Sequence, residues 1–393
     1  MNAAGGNGYD FRSMSGKSIT RRKCFVRPLL NAKRLGQPTG EKMSGNHIEL
    51  KSDTQTKPTP GMREAMAAAE VGDEQGFTDP TVAALVERVA GLFGMEAAVF
   101  LPSGTMCNQI SAAVHCGPGD EFIAERSSHI VGVEAGGASV LARAAPHPVD
   151  GVRGIYTAEQ AEAAIRPNTR HAPRSRMICI EQTANLAGGT IWPLERVRGI
   201  VDVAQRHGLK LHMDGARVLN AVVETGVSAH DYAKGFDSVW VDLSKGLGCP
   251  VGAVLAGSSE FIDAAWRWKQ RIGGAMRQAG IIAAAGLYAL DHHVERLKED
   301  HDNARHFATL IAPLPGLKVE PEHVDSNIVL IDVSGSGHDG GTWGGKLGER
   351  GVRMAPIGPA MLRALTHLDV TREEVEAAAN IFRELCEGEL APA

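Results

Sequence analysis

Apolar residues recur along this chain in two alternating rhythms. Short apolar or alternating runs at 97–101, 120–124, 176–180, 209–213, 238–243 and 252–256 read as buried strands. The stretches between them repeat apolar residues at helical spacing. Residues 81–94 place Val82, Leu85, Val86, Val89 and Leu92 on one face. Residues 157–165, 194–207, 261–269 and 280–299 and a segment from about 216 read as further helices, and 127–137, opened by Ser127-Ser128-His129, reads as the entry to a helix. Thr59 stands before Pro60, the pairing of a helix N-cap with proline at the first helical position. Strands that alternate with helices predict an α/β fold with a mostly parallel sheet covered on both faces. After about residue 300 the rhythm changes to one clear strand, 326–333, and short helices, which predicts a smaller α+β unit. At 393 residues the chain exceeds what one core usually supports. The expected division is a basic extension over 1–47, a large domain over 48–300 and a small domain over 301–393.

Composition adds exclusions. Hydrophobic content of 43% with 22% charged residues is ordinary for a soluble protein, and a net charge of −5 gives no reason to expect nucleic acid. No apolar run reaches membrane-spanning length, so no membrane partner is expected. The six cysteines are scattered without a C-x-x-C pair, which predicts reduced thiols and a cytoplasmic protein. The first 42 residues hold nine Lys or Arg against Asp10 and Glu41, a net +7, so the remainder carries −12. That leader reads as a disordered arm; a transit peptide, or an upstream extension before Met43, is the alternative.

The candidate chemistry gathers at strand ends. The run 238–243 delivers Lys245 into a turn with Gly246, Gly248 and Gly252. A desolvated lysine can form a Schiff base with an aldehyde cofactor. Upstream, the run 209–213 ends in Asp214, with Arg217 three residues on, placed to reach the cofactor's ring oxygen or a substrate carboxylate. Pyridoxal phosphate (PLP) enzymes need a lysine for the aldehyde and a carboxylate against the pyridinium nitrogen, and this pair fits. Ser103, Gly104 and Thr105 lie at a strand-to-helix turn, where free N–H groups would receive a phosphate. His129 is placed for a flat ring to cover the cofactor. Arg277, in a basic glycine-rich link, could reach a phosphate in its own or a neighbouring subunit, and Arg363 lies on a strand expected to face the site. Each feature has a plainer reading as a loop lysine, a helix cap or a surface side chain; the combination favours the cofactor. The histidines show no zinc spacing, so no metal is expected.

Together these motifs resemble the low-specificity L-threonine aldolases, in the fold type I (aspartate aminotransferase-like) class of PLP-dependent transferases. The likeness runs from about residue 49 to the C-terminus. It is carried by Ser52-Asp53-Thr54, Pro102-Ser103-Gly104-Thr105-Met106, His129 with Glu134-Ala135-Gly136-Gly137, Asp214-Gly215-Ala216-Arg217, Leu243-Ser244-Lys245-Gly246, Met276-Arg277-Gln278, and Arg363 before Thr366-His367. The resemblance implies retro-aldol cleavage of a β-hydroxy-α-amino acid to glycine and an aldehyde. β-Elimination or dehydration of a 3-hydroxy amino acid is the alternative on the same scaffold. It implies that Lys245 and Asp214 hold PLP, that Ser103, Gly104, Thr105 and a neighbouring subunit's Arg277 take its phosphate, and that His129 stacks on the ring. Ser52, Arg217 and Arg363 would hold the substrate carboxylate, and His129 or His171 would serve as base. A homodimer or homotetramer follows from the shared arginine.

Three departures stand out. The family's Tyr-Gly-Glu/Asp-Asp-Pro is here Gln75-Gly76-Phe77-Thr78-Asp79-Pro80. Its Glu-Asn-Thr-His-Asn is Glu181-Gln182-Thr183-Ala184-Asn185. A lysine before Met-Arg-Gln is replaced by Gln270, between Lys269 and Arg271. They lead to the expectation of a β-substituent bulkier than the methyl of threonine.

Overall fold

A computed structural model describes residues 47–390. The basic extension anticipated over 1–47 lies, but for its last residue, outside the described residues.

Seven strands form the main sheet: β1 (Ala97–Leu101), β2 (Asp120–Glu125), β3 (Ala145–Val149), β4 (Arg174–Glu181), β5 (Lys210–Asp214), β6 (Ser238–Asp242) and β7 (Ala253–Gly257). Their order is β1-β7-β6-β5-β4-β2-β3. β2, β3, β4, β5 and β6 pair in parallel, while β7 is antiparallel to both β6 and β1. The reversal at β7 follows from the short link 243–252, since a parallel return needs a crossover of about a dozen residues or more. β6 and β7 are buried along their whole length, in keeping with a sheet covered on both faces.

The helices bear out most of the periodicity. α1 (Pro60–Ala67) is capped by Thr59, whose Oγ1 accepts from the Met62 N–H at 3.3 Å. α2 (Pro80–Phe93) is capped by Asp79 and closed by Gly94 in the left-handed region. α3 (Gly104–His115) follows β1, and α4 (Leu194–His207) precedes β5. The helix entry expected at 127–137 is brief, and one expected helix divides. The stretch 127–137 yields one turn, His129–Gly132, because Ala135 and Gly136 take positive φ angles of 52° and 70° and Glu134 turns inward. The stretch 280–299 divides into α5 (Gly280–His292) and α6 (Leu297–Ile311). Between them the buried His293 bonds the Leu247 carbonyl at 2.7 Å, which holds the chain back against the Lys245 turn.

A four-stranded antiparallel sheet follows. It contains β8 (Lys318–Val319), β9 (Ile328–Asp332), β10 (Ala355–Pro356) and β11 (Met361–Leu365), in the order β10-β11-β9-β8. One hydrophobic core surrounds the main sheet and includes Phe93, Trp192, Met213 and Leu297. A second contains Leu50, Phe307, Trp343 and Phe382. α6 enters both, with Leu297 in the first and Phe307 and Ile311 in the second. The five described cysteines are buried and free; burial pushes the Cys116 thiol up to about 12 and Cys249 well above its usual range. Among the described residues no helix is long and apolar enough to cross a membrane.

Candidate active site

Parallel strands end together, and the loops beyond their carboxyl ends form a crevice. Here the ends of β1, β4, β5 and β6 open into a cleft of about 220 Å³. Ser103, Gly104 and Thr105 line it from the start of α3; Glu181, Thr183 and Asn185 line it beyond β4; Asp214 and Arg217 beyond β5; Asp242, Ser244 and Lys245 beyond β6. His129, Thr54 and Trp240 complete the wall.

The Lys245 ammonium lies 3.0 Å from Asp242 Oδ2. Its backbone carbonyl accepts from Thr56 Oγ1 at 2.8 Å, so the N-terminal segment pins the lysine turn. Asp214 is buried; its Oδ1 accepts from the Ala216 N–H at 3.1 Å and its Oδ2 from the Asn108 amide at 2.7 Å. Among the described residues Asp214 joins no ion pair, although Asp53, Asp242 and Glu74 all do. A buried carboxylate that faces a cleft and has no cation paired to it is suited to a cationic ligand group. At the other wall a Cβ added to Gly104 would stand 2.2 Å from the Trp240 ring, so only glycine fits where α3 opens onto the cleft.

His129 Nδ1 bonds Glu134 Oε1 at 2.8 Å. That bond raises the imidazole pKa above its ordinary value, against the opposing effect of burial. Burial in turn raises the Glu134 carboxyl. Glu181 accepts from the backbone N–H groups of His129 at 2.6 Å and Asn185 at 2.7 Å; burial, then the nearby Asp214 charge, pushes its pKa up to about 7. Glu181 therefore ties two site loops to the end of β4.

The three proposed carboxylate holders are placed differently from one another. Arg217 commits Nε and Nη2 to Asp53, at 2.7 and 2.8 Å, and the pair is buried. Arg363, on β11, donates Nη1 to Asn185 at 2.9 Å and leaves a buried Nε without a partner. Burial, reinforced by Arg217, lowers its pKa below the usual guanidinium range. Ser52 caps a short turn by accepting from Thr54 N–H, and Thr54 lines the cleft in its place.

Two expected residues stand elsewhere in this chain. His171 is exposed in the link before β4, at the amino end of the strand whose carboxyl end carries Glu181. Eight extended residues span about 25 Å, so His171 does not reach its own chain's cleft. Arg277 is at the surface, paired with Asp73 at 2.9 Å.

The altered motifs also have local accounts. Ala184 is buried outside the cleft wall, and a Cβ added to Gly154 would stand 2.5 Å from its Cβ. Losing a histidine there does not widen the cleft, which removes one ground for expecting a bulkier substrate. Gln75 Nε2 donates to the Met276 carbonyl at 3.0 Å, and Phe77 packs edge-on against Trp266. Lys269 is buried against Glu74 and over the Trp266 ring.

Asn108, Glu134 and Asp242 belong to this site's framework although sequence reasoning assigned them no role. Asp242 had a signal, standing at a strand end three residues before the lysine. Asn108 had none, because a polar residue in the second turn of a helix reads as solvent-facing.

Residues 49–334 match the family model described as beta-eliminating lyase. The low specificity L-threonine aldolase of Escherichia coli strain K12 is 39% identical over 339 residues, covering 86% of this chain and 98% of the relative. Low-specificity L-threonine aldolase 1 of Arabidopsis thaliana is 39% identical over 342 residues, with 86% and 96% covered. The threonine aldolase structure from Leishmania major superposes with a TM-score of 0.74 at 18% identity, over 86% of this chain and 99% of that one. The chain belongs to the beta-eliminating lyase family and, within it, to the low-specificity L-threonine aldolases.

Proposed function

We propose that this protein cleaves β-hydroxy-α-amino acids, threonine among them, to glycine and an aldehyde with PLP as cofactor. The observation that carries the reading is the buried, cation-free Asp214 carboxylate in one cleft with Lys245. The residues fit PLP. Lys245 supplies the amine for its aldehyde, Asp214 the acceptor for its ring N–H, and Ser103, Gly104 and Thr105 the N–H groups for its phosphate. Bound there, PLP supplies a sink for the electron pair released when the Cα–Cβ bond breaks.

The protein's own part is positioning and proton handling. Arg363, with its unpartnered Nε, receives the substrate carboxylate; Asp53 holds Arg217 rigid beside it. With Nδ1–H donated to Glu134, His129 has Nε2 left to accept the β-hydroxyl proton, directly or through water. Cβ then leaves as the aldehyde carbon, and the proton taken from the β-hydroxyl balances the one that Cα gains in glycine.

The finer organisation belongs to the same proposal. Residues 301–393 form a small domain that carries Arg363 to Asn185 at the cleft wall. Arg277 serves the phosphate of a neighbouring copy in a homodimer or homotetramer, and the protein works in the cytoplasm. Borohydride reduction of the PLP-loaded protein, followed by peptide mass mapping, tests the reading. Label on the peptide containing Lys245 is expected; label elsewhere, or none, would sink it.

A further inference from the structure

Behind the cleft wall lies a buried polar chain that the proposed chemistry does not use. Asn108 is fully buried in α3. Its Nδ2 donates to Asp214 Oδ2 and to Glu134 Oε1, both at 2.7 Å. Its Oδ1 accepts from Trp240 Nε1 at 2.7 Å and lies 3.0 Å from His212 Nε2. His212 Nδ1 lies 2.8 Å from Ser238 Oγ, which lies 2.8 Å from His115 Nε2.

The direction of every proton in this chain follows from one fixed donor. An indole N–H can only donate, so the atom facing Trp240 is the amide oxygen. His212 Nε2, facing the same oxygen, therefore carries hydrogen. Burial lowers the His212 pKa to about 3, so the ring is neutral and Nδ1 accepts. Ser238 must then donate to Nδ1, and its oxygen accepts from His115 Nε2–H. All the donors point toward Asp214. A flipped Asn108 would set its oxygen against two carboxylates and two N–H groups against each other, so the amide has one stable orientation.

Asn108 thereby joins two elements of the site. Through one hydrogen it fixes Asp214, and through the other it fixes Glu134, which holds His129. We propose that Asn108, locked by Trp240 and His212, is the positioning residue that sets the Asp214 carboxylate and the His129 ring in register across the cleft. The consequence for the cofactor rests on the PLP reading; the lock itself does not.

Two measurements separate the two claims. Histidine 15N NMR of the apoprotein should show His212 neutral at pH 7 with hydrogen on Nε2. An imidazolium, or hydrogen on Nδ1, would overturn the lock whatever the cofactor. The second measurement is PLP binding to Asn108→Ala, with 15N-labelled PLP reporting the ring nitrogen. A lost hydrogen bond to a charged group corresponds to a Kd weakened about 10- to 100-fold. The ring-nitrogen signal should move toward the unprotonated position, which mere loss of stability would not cause. A folded Asn108→Ala with wild-type Kd and wild-type signal would refute the inference. If that variant does not fold, Trp240→Phe, which removes one of the two locking donors, should show smaller changes in the same direction, and no change would refute it. A wild-type protein that binds no PLP but shows the expected His212 tautomer would instead refute the function reading.

Discussion

Replacing Asp53 by Asn removes a charge from the most buried arginine pair in the site while keeping the side chain's shape. Arg217 is 5% exposed, and its Nε and Nη2 bonds to Asp53 are 2.7 and 2.8 Å. Asp53 Oδ2 also accepts from Asn327 at 3.2 Å, so this carboxylate links the N-terminal segment, the loop beyond β5 and the start of β9. The adjacent Arg217 charge holds the Asp53 carboxyl well below the usual carboxylate range, against the opposing effect of burial. Removing one partner of a buried pair costs about 3–5 kcal/mol, because the other charge stays buried and unpaired. Urea unfolding at pH 7, followed by circular dichroism and tryptophan fluorescence, should therefore show a loss of that size. Asp53→Asn combined with Arg217→Met should recover much of it, since no lone charge remains. The sign of the pH dependence is fixed by the lowered pKa. The contribution is complete above about pH 4, where the unfolded carboxyl ionises, and fades as pH falls through the still lower folded value. A loss below about 1 kcal/mol, the range of surface ion pairs, would refute the argument that Arg217 is clamped rather than free.

Glu134→Gln should lower the His129 pKa and move the ascending limb of the pH–rate profile to lower pH, because the base acts once its proton is lost; an unmoved limb would assign the base elsewhere. Gly104→Ala drives a Cβ into the Trp240 ring and should cost about 1–3 kcal/mol and weaken PLP binding, as read by thermal unfolding and cofactor titration. Arg363→Ala should raise KM for the amino acid at least tenfold, the scale of a lost charge-assisted bond of about 1.5–3 kcal/mol, while the PLP Kd stays within about twofold.

Much of the fold was legible because burial imposes period. β6 is apolar through Val239, Trp240 and Val241, β7 through Ala253–Ala256, and α2 carries both its cap and its closing glycine. Lys245 and Asp214 were legible because parallel strands bring their carboxyl ends together wherever the sequence places them. The less legible features depend on contacts far apart in the chain. That Arg217 is held by Asp53 and that Asn108 faces Asp214 are set by tertiary approach, which no local spacing encodes. His171 illustrates the converse. A motif position implies a role, but the residue sits at the amino end of β4 and the strand carries it away from its own cleft. The break inside 280–299 was hidden for the same reason. The inward pull on His293 overrides a pattern that, read locally, is helical.

The products formed decide between aldol cleavage and elimination. Purified, PLP-loaded protein incubated with L-threonine or L-allo-threonine should release glycine and acetaldehyde in equal amounts, and Lys245→Ala should release neither. Ammonia and a keto acid in place of glycine would contradict the account and establish elimination as the reaction of this cleft.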